Sequence, residues 1–160
     1  MSIGQATVED AGEVLRLRRG AEDWLAGRDI EQWPPGGLEL VEVRKQIEAG
    51  QWYVARAGDA ACGAFRLLWS DEAVWRAENT FAAYVHGLVT DRGHAGTGLG
   101  SRLLAWVAEH GRRAGAGLLR LDCVAHNARL RRYYADLGFR EVGELVYGRG
   151  WVNVLLEKPI

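Results

Sequence analysis

Apolar positions recur along the chain with two different periods, and the switches between them mark out the elements. Residues 2–6 form a short strand-like run, and Thr7-Val-Glu-Asp10 resembles a capping box opening a helix. Val14, Leu17, Ala21, Trp24 and Leu25 then fall at helical spacing up to Gly27, and Leu40, Val43 and Ile47 repeat the pattern before Gly50. Between these helices lies Arg28 to Leu38, whose Trp33-Pro-Pro-Gly-Gly37 tract breaks any helix and reads as loop. Gln51–Ala57 and Ala61–Trp69 read as strands joined by a hairpin turn at Gly58-Asp59. Ser70–Asn79 is polar and reads as loop.

Tyr84–Thr90 suits a strand, and Asp91–Thr97, with no apolar periodicity, suits a loop. Leu99, Leu103, Trp106 and Val107 then define one face of a helix that starts at Gly98. Leu118–Ala125 is a strand, and a helix follows, bounded by Asn127 and Gly138, with Leu130, Tyr133, Tyr134 and Leu137 on one side. Glu141–Tyr147 and Trp151–Glu157 close the chain as strands separated by Gly-Arg-Gly150. The order βααβββαβαββ predicts an α/β (α+β) fold, a mixed sheet with helices on both faces. At 160 residues the expectation is one domain, 1–160, with a core of its own.

The chemistry concentrates where strand, loop and helix meet. The first N–H groups of a helix lack internal partners, and the helix dipole adds partial positive charge there, so the turn before Leu99 is an anion cradle. Gly96, Gly98 and Gly100 let a phosphate approach that backbone without meeting a Cβ. The Rossmann spacing is absent, as is the Lys-Ser/Thr ending of a P-loop. What stands there is Ala95-Gly-Thr-Gly-Leu-Gly100, followed by Ser101. This run resembles the pyrophosphate-binding motif of the GNAT N-acetyltransferase superfamily, Q/R-x-x-G-x-G/A, with Ala95 where the family usually carries Gln or Arg. Asn127-Ala-Arg-Leu-Arg-Arg-Tyr-Tyr-Ala-Asp-Leu-Gly-Phe139 resembles the family's second motif, an Asn at a helix start and then Tyr-x-x-x-Gly-Phe. The resemblance runs from about Thr80 to the end; the N-terminal half matches in its pattern of elements.

The resemblance implies a mostly antiparallel sheet of about seven strands and acetyl-CoA as co-substrate. It implies cofactor contacts from Leu88, Val89, Thr90, Ala95, Gly96, Thr97, Gly98, Gly100, Ser101, Asn127 and Tyr134. Tyr134 matches the family's general acid toward the departing thiolate, and Leu88 the backbone N–H that polarises the thioester carbonyl. Tyr84 and His86 occupy the strand positions from which family members face the acceptor amine, and His86 is the candidate base. Asp122, Glu72 and Glu78 are alternative bases that their spacing does not rank. Trp24 and Trp33 belong to the stretch that walls the acceptor in this fold, and aromatics there suit an alkylammonium.

Composition narrows the partners. The formal net charge is −1, which argues against nucleic acid. Residues 91–140 carry nine Lys/Arg against four Asp/Glu, which suits a phosphate-rich donor; residues 1–90 carry nine against fourteen, which suits a cationic acceptor. Cys62 and Cys123 sit among apolar neighbours and read as buried thiols of a cytoplasmic protein, with no disulfide or metal site. No apolar run is long enough for a membrane span, and no signal-peptide pattern is present. The reading is therefore a cytoplasmic enzyme moving an acetyl group directly to a small-molecule amine, with a homodimer compatible. The alternatives are a non-catalytic acyl-CoA-binding module, against which Tyr134 weighs, a protein N-terminal acetyltransferase and a longer-chain acyltransferase of the same fold.

Overall fold

The computed structural model describes residues 1–34, 36–148 and 150–160; Pro35 and Arg149, assigned above to a loop and a turn, lie outside the described residues. Seven strands and five helices follow one another as β1 (Ser2–Gln5), α1 (Ala11–Ala26), α2 (Leu40–Glu48), β2 (Trp52–Ala57), β3 (Ala60–Leu68), α3 (Glu72–Trp75), β4 (Ala83–Thr90), α4 (Leu99–Ala114), β5 (Leu118–Val124), α5 (Ala128–Asp136), β6 (Arg140–Tyr147) and β7 (Trp151–Pro159). The sheet order is β1-β2-β3-β4-β5-β7-β6. The pairs β1/β2, β2/β3, β5/β7 and β6/β7 are antiparallel and β4/β5 is parallel, so the mixed sheet expected from the order of elements forms, and it is mostly antiparallel as the family resemblance implies. The one addition is α3, in a stretch read as loop. A four-residue helix is too short to show a period, and only the burial of Trp75 reveals it.

The chain divides into two compact units, Met1–Leu67 with Gly87–Leu103, and Leu68–His86 with Leu104–Ile160. In the first, Thr7 donates its backbone N–H to Asp10 Oδ2 at 2.9 Å, the reciprocal half of a capping box, and a 3₁₀ turn then leads into α1. Val14 and Leu17 of α1 pack with Val43 and Ile47 of α2 and with Trp52 and Val54 of β2. The buried face of α1 also carries Arg18 and Glu22, an i,i+4 pair at 2.9 Å. Burial alone would raise the Glu22 carboxyl. Hydrogen bonds from Arg19, Arg18 and the Gly36 N–H outweigh it and hold the group below its ordinary value. Arg19 also donates to Leu38 O at 2.8 Å, so one carboxylate and its two arginines fasten the segment leading to α2 onto α1.

In the second unit β7 lies between β5 and β6, with Arg120↔Glu157 directly opposed in the β5/β7 register. Trp75, Ala82, Tyr84, Leu145 and Leu155 form a core there. No helix among the described residues is long and apolar enough to cross a membrane.

Candidate active site

The glycine-rich loop belongs to the first unit. Asp91 opens it by accepting the Gly93 N–H at 2.9 Å, and Arg16 pairs with the same carboxylate at 2.9 Å, holding Asp91 below the usual carboxylate range. The chain then makes a 3₁₀ turn over Arg92–His94 and an extended step at Ala95 before reaching Gly96 (φ +76) and Gly98 (φ +75). These left-handed angles are why glycine stands at both positions. Thr97 and Ser101 spend their hydroxyl protons locally, on His94 O at 2.7 Å and Gly98 O at 2.8 Å. Leu99 and Leu103 are buried, which anchors the start of α4 while residues 95–98 stay exposed. His94 Nδ1 is buried and has no hydrogen-bond partner among the described residues. An exposed turn of positive-φ glycines, a helix N-terminus with unspent amides and an orphaned ring nitrogen together suit a diphosphate. Just upstream, Gly87 takes φ +58, and a Cβ there would meet the Trp52 ring at 3.1 Å; Leu88, half-buried, follows this kink, with Val89 buried and Thr90 half-buried.

The second unit holds the helix of the second motif. Asn127 caps α5, accepting the Leu130 N–H at 3.1 Å. At the other end Gly138 (φ +86) donates to Ala135 O at 2.9 Å and Phe139 to Tyr134 O at 3.0 Å, a Schellman motif. Phe139 also meets the Tyr134 ring edge-on, with centroids 5.6 Å apart. The Gly-Phe pair therefore stops the helix and clamps the tyrosine in the same step. Tyr134 is 7% exposed, and no hydrogen bond to its hydroxyl is found among the described residues. Burial, reinforced by the charges of Cys123, Tyr133 and Asp122, pushes the phenol well above its ordinary value.

His86 lies in the same unit between two carboxylates. Its Nε2 is 2.7 Å from Asp71 Oδ2 and its Nδ1 is 3.6 Å from Asp122 Oδ1. Asn79 Oδ1 accepts the Asp71 N–H at 2.8 Å, and Asn153 Nδ2 donates to Asp122 Oδ2 at 2.7 Å; Trp151 Nε1 in turn donates to Asn153 Oδ1 at 3.0 Å. Asp122 is raised by burial, which His86 and Asn153 offset in part. Of the carboxylates weighed from sequence, Asp122 faces His86 and Glu72 and Glu78 are exposed. Asp71 was missed, because it sits in a segment whose polarity signals only a loop.

Three sequence assignments change. Tyr84 is 0% exposed; its hydroxyl donates to Thr80 O at 2.8 Å and accepts from Thr80 N–H and Arg120, so it is a core strut and not an acceptor contact. Trp24 and Trp33 are not open platforms for an alkylammonium. Arg28 and Arg92 lie 4.1 and 4.0 Å from the Trp24 ring centre, and Arg18 lies 3.8 Å from that of Trp33. Arg131, counted among the cations for the donor, spends its charge on Glu141 at 2.6 Å. Cys123 behaves as expected of an inert thiol, pushed up to about 12 chiefly by burial.

Comparison with known proteins agrees with this layout. The model of the acetyltransferase (GNAT) family matches residues 18–139. The chain is 29% identical over 146 residues to the uncharacterised N-acetyltransferase YesJ of Bacillus subtilis, covering 86% of this chain and 81% of that protein. A GNAT-family acetyltransferase of Listeria monocytogenes superposes with a TM-score of 0.83 at 22% identity, over 99% of this chain and 94% of that one. The yncA protein of Salmonella typhimurium, solved with its cofactor acetyl-CoA, gives a TM-score of 0.71 at 18% identity, over 99% and 93%. The family match takes in most of the chain, both motifs included, and this protein therefore belongs to the GNAT acetyltransferase family, which draws its acetyl group from acetyl-CoA.

Proposed function

We propose that this chain moves the acetyl group of acetyl-CoA directly to the amine of a small molecule. The observation that carries the reading is a proton acceptor and a proton donor within one compact unit: His86 between Asp71 and Asp122, and the Tyr134 phenol, whose hydroxyl has no hydrogen-bond partner among the described residues. A module that only binds acyl-CoA has no need of either. Acetyl-CoA, when bound, supplies the thioester whose C–S bond breaks as the C–N bond to the amine forms. In the first unit the amides of Gly96 and of residues 98–101 bind the diphosphate, the Thr97 N–H being spent on His94 O at 3.3 Å, and the Leu88 N–H polarises the thioester carbonyl. In the second, His86 takes a proton from the acceptor ammonium, the Tyr134 hydroxyl donates a hydrogen bond to the departing sulfur, and the second proton that the nitrogen sheds on acylation passes through solvent to the thiolate. Asn127, its oxygen engaged in the cap, lies at the helix start where the family places the pantetheine arm. Neither thiol enters the reaction: Cys62 donates to Ala55 O within β2 at 3.4 Å, and the raised Cys123 is a poor nucleophile.

The test is incubation with acetyl-CoA and a panel of small amines, following free thiol. Release with at least one amine, above hydrolysis alone, is expected; tight CoA binding with no turnover on any amine, and no effect of Tyr134→Phe on thiol release, sinks the proposal in favour of a binding module. Turnover confined to peptide N-termini points instead to a protein acetyltransferase. The donor half is tested separately. Gly98→Val places a β-branched residue at φ +75, where an L side chain costs about 1–2 kcal/mol, so CoA affinity by calorimetry is expected to fall about 5- to 30-fold. Among the described residues a Cβ at that position would come within 4 Å of Ser101 Oγ alone, at 3.6 Å, so backbone conformation and not collision causes the loss.

A further inference from the structure

The two ring nitrogens of His86 are not equivalent, and the difference assigns work to the carboxylates around them. Nε2 sits at full hydrogen-bond distance from Asp71, 2.7 Å, whereas Nδ1 stands 3.6 Å from Asp122, too far for a hydrogen bond. A neutral imidazole has one N–H, and the short contact takes it. The Asp71 and Asp122 side chains are both largely buried, 6% and 11% exposed, while the His86 side chain between them keeps 23%, so the two contacts differ in distance and not in shelter. Asp122 is meanwhile held in place by the Asn153 amide at 2.7 Å. A buried carboxylate without a close cation is costly, and an arriving ammonium relieves that cost. A nitrogen placed between Nδ1 and Asp122 Oδ1 can stand about 2.8–3.0 Å from both, because the two atoms are no further apart than a nitrogen can bridge.

The geometry points to Asp71 as a positioning residue that keeps the His86 proton on Nε2, so that Nδ1 accepts the proton of the incoming amine, and to Asp122 as the anchor of that amine's ammonium. The step balances simply. One N–H bond of the ammonium breaks, an Nδ1–H bond forms, the amine is left neutral with its lone pair, and the imidazolium lies between two carboxylates until solvent takes its proton. The ionisable groups that feel the Asp122 charge are Cys123 of β5, Tyr134 of α5 and Tyr147 of β6; Tyr147 feels Asp71 and Arg76 as well, and none of these is among the hydrogen-bond or ion-pair partners of the imidazole found among the described residues. The inference rests on the acetyl-transfer reading above for the meaning of the proton, though not for its position.

The position is read directly with ¹⁵N-histidine-labelled protein at pH 9 without any acceptor, His86→Gln assigning the signals. Wild type is expected to show a protonated Nε2 and a bare Nδ1. In Asp71→Ala the Nε2 proton loses its acceptor, and the proton is expected to move to Nδ1 as the freed ring turns toward Asp122, 3.6 Å away in the wild type; in Asp122→Asn it stays on Nε2. With the best amine of the panel, Asp71→Ala is expected to lose about 100-fold in kcat with KM little changed, as a wrong tautomer does. Asp122→Asn is expected to raise the amine KM about tenfold with a smaller change in kcat. A wild-type proton on Nδ1, or one that stays on Nε2 in Asp71→Ala, overturns the positioning role. An unchanged amine KM in Asp122→Asn overturns the anchor. The wild-type spectrum alone decides the tautomer if Asp71→Ala fails to fold. A chain that acetylates no amine yet shows the expected tautomers removes the transfer reading and leaves the positioning geometry standing.

Discussion

Tyr134→Phe is expected to lower the acetylation rate by about 10²- to 10³-fold, the usual contribution of one preorganised hydrogen-bond donor, while CoA affinity and melting temperature stay near wild type. The separation follows from how the ring is held. Its contacts are with the Tyr133 and Phe139 rings, at centroid distances of 5.5 and 5.6 Å, and the Schellman turn fixes it through the backbone. Phenylalanine keeps all of these, and no described residue loses a hydrogen bond with the hydroxyl. The raised affinity of the phenol for its proton also fixes how it acts. A thiol of the cysteine type holds its proton with a pKa of about 8.5, so full transfer from this phenol to a thiolate runs uphill. The hydroxyl stabilises the sulfur by donating a hydrogen bond, and it stays protonated across the working range. Any alkaline loss of activity therefore belongs to another group. A variant with the wild-type thiol-release rate would remove Tyr134 from the chemistry.

Much of this was legible along the chain because the signals are local. Glycine at 96, 98 and 138 is demanded by positive φ, and Asn127 by an orphan amide, so each can be read from a few residues of context. The succession of elements along the chain followed from apolar period and turn residues for the same reason. What escaped is made by residues far apart in sequence. Asp71 reaches His86 across fifteen positions, and nothing in a polar loop announces it. Tyr84 was assigned to the acceptor because alternation puts it on the His86 face of β4; the partner that buries it, Arg120, comes from another strand. Trp24 and Trp33 carry the aromatic signal of a cation site. The cations that satisfy them are this chain's own arginines, which no spacing rule connects to either ring.

Arg120→Met should be the most damaging single change to stability, at about 3–5 kcal/mol, because it leaves a carboxylate buried without its main partner. Arg120 and Glu157 oppose each other across β5 and β7, joined at 3.0 Å with side chains 8% and 9% exposed. The same guanidinium donates to Glu78 O at 2.7 Å and to the Tyr84 hydroxyl at 3.1 Å, and lies 4.2 Å from the Trp75 ring centre. Methionine fills the volume and does none of this. Glu157 keeps Arg140 at 3.1 Å, but that arginine is 73% exposed and its pull is screened by water. The midpoint of urea unfolding is therefore expected to drop sharply with an unchanged slope. Arg120→Met combined with Glu157→Leu tests the cause, because removing both charges abolishes the unpaired carboxylate and should restore a large part of the loss. A double variant no more stable than the single would place the damage in the Tyr84, Glu78 and Trp75 contacts instead; a single variant within about 1 kcal/mol of wild type would show that Arg140 alone suffices for Glu157.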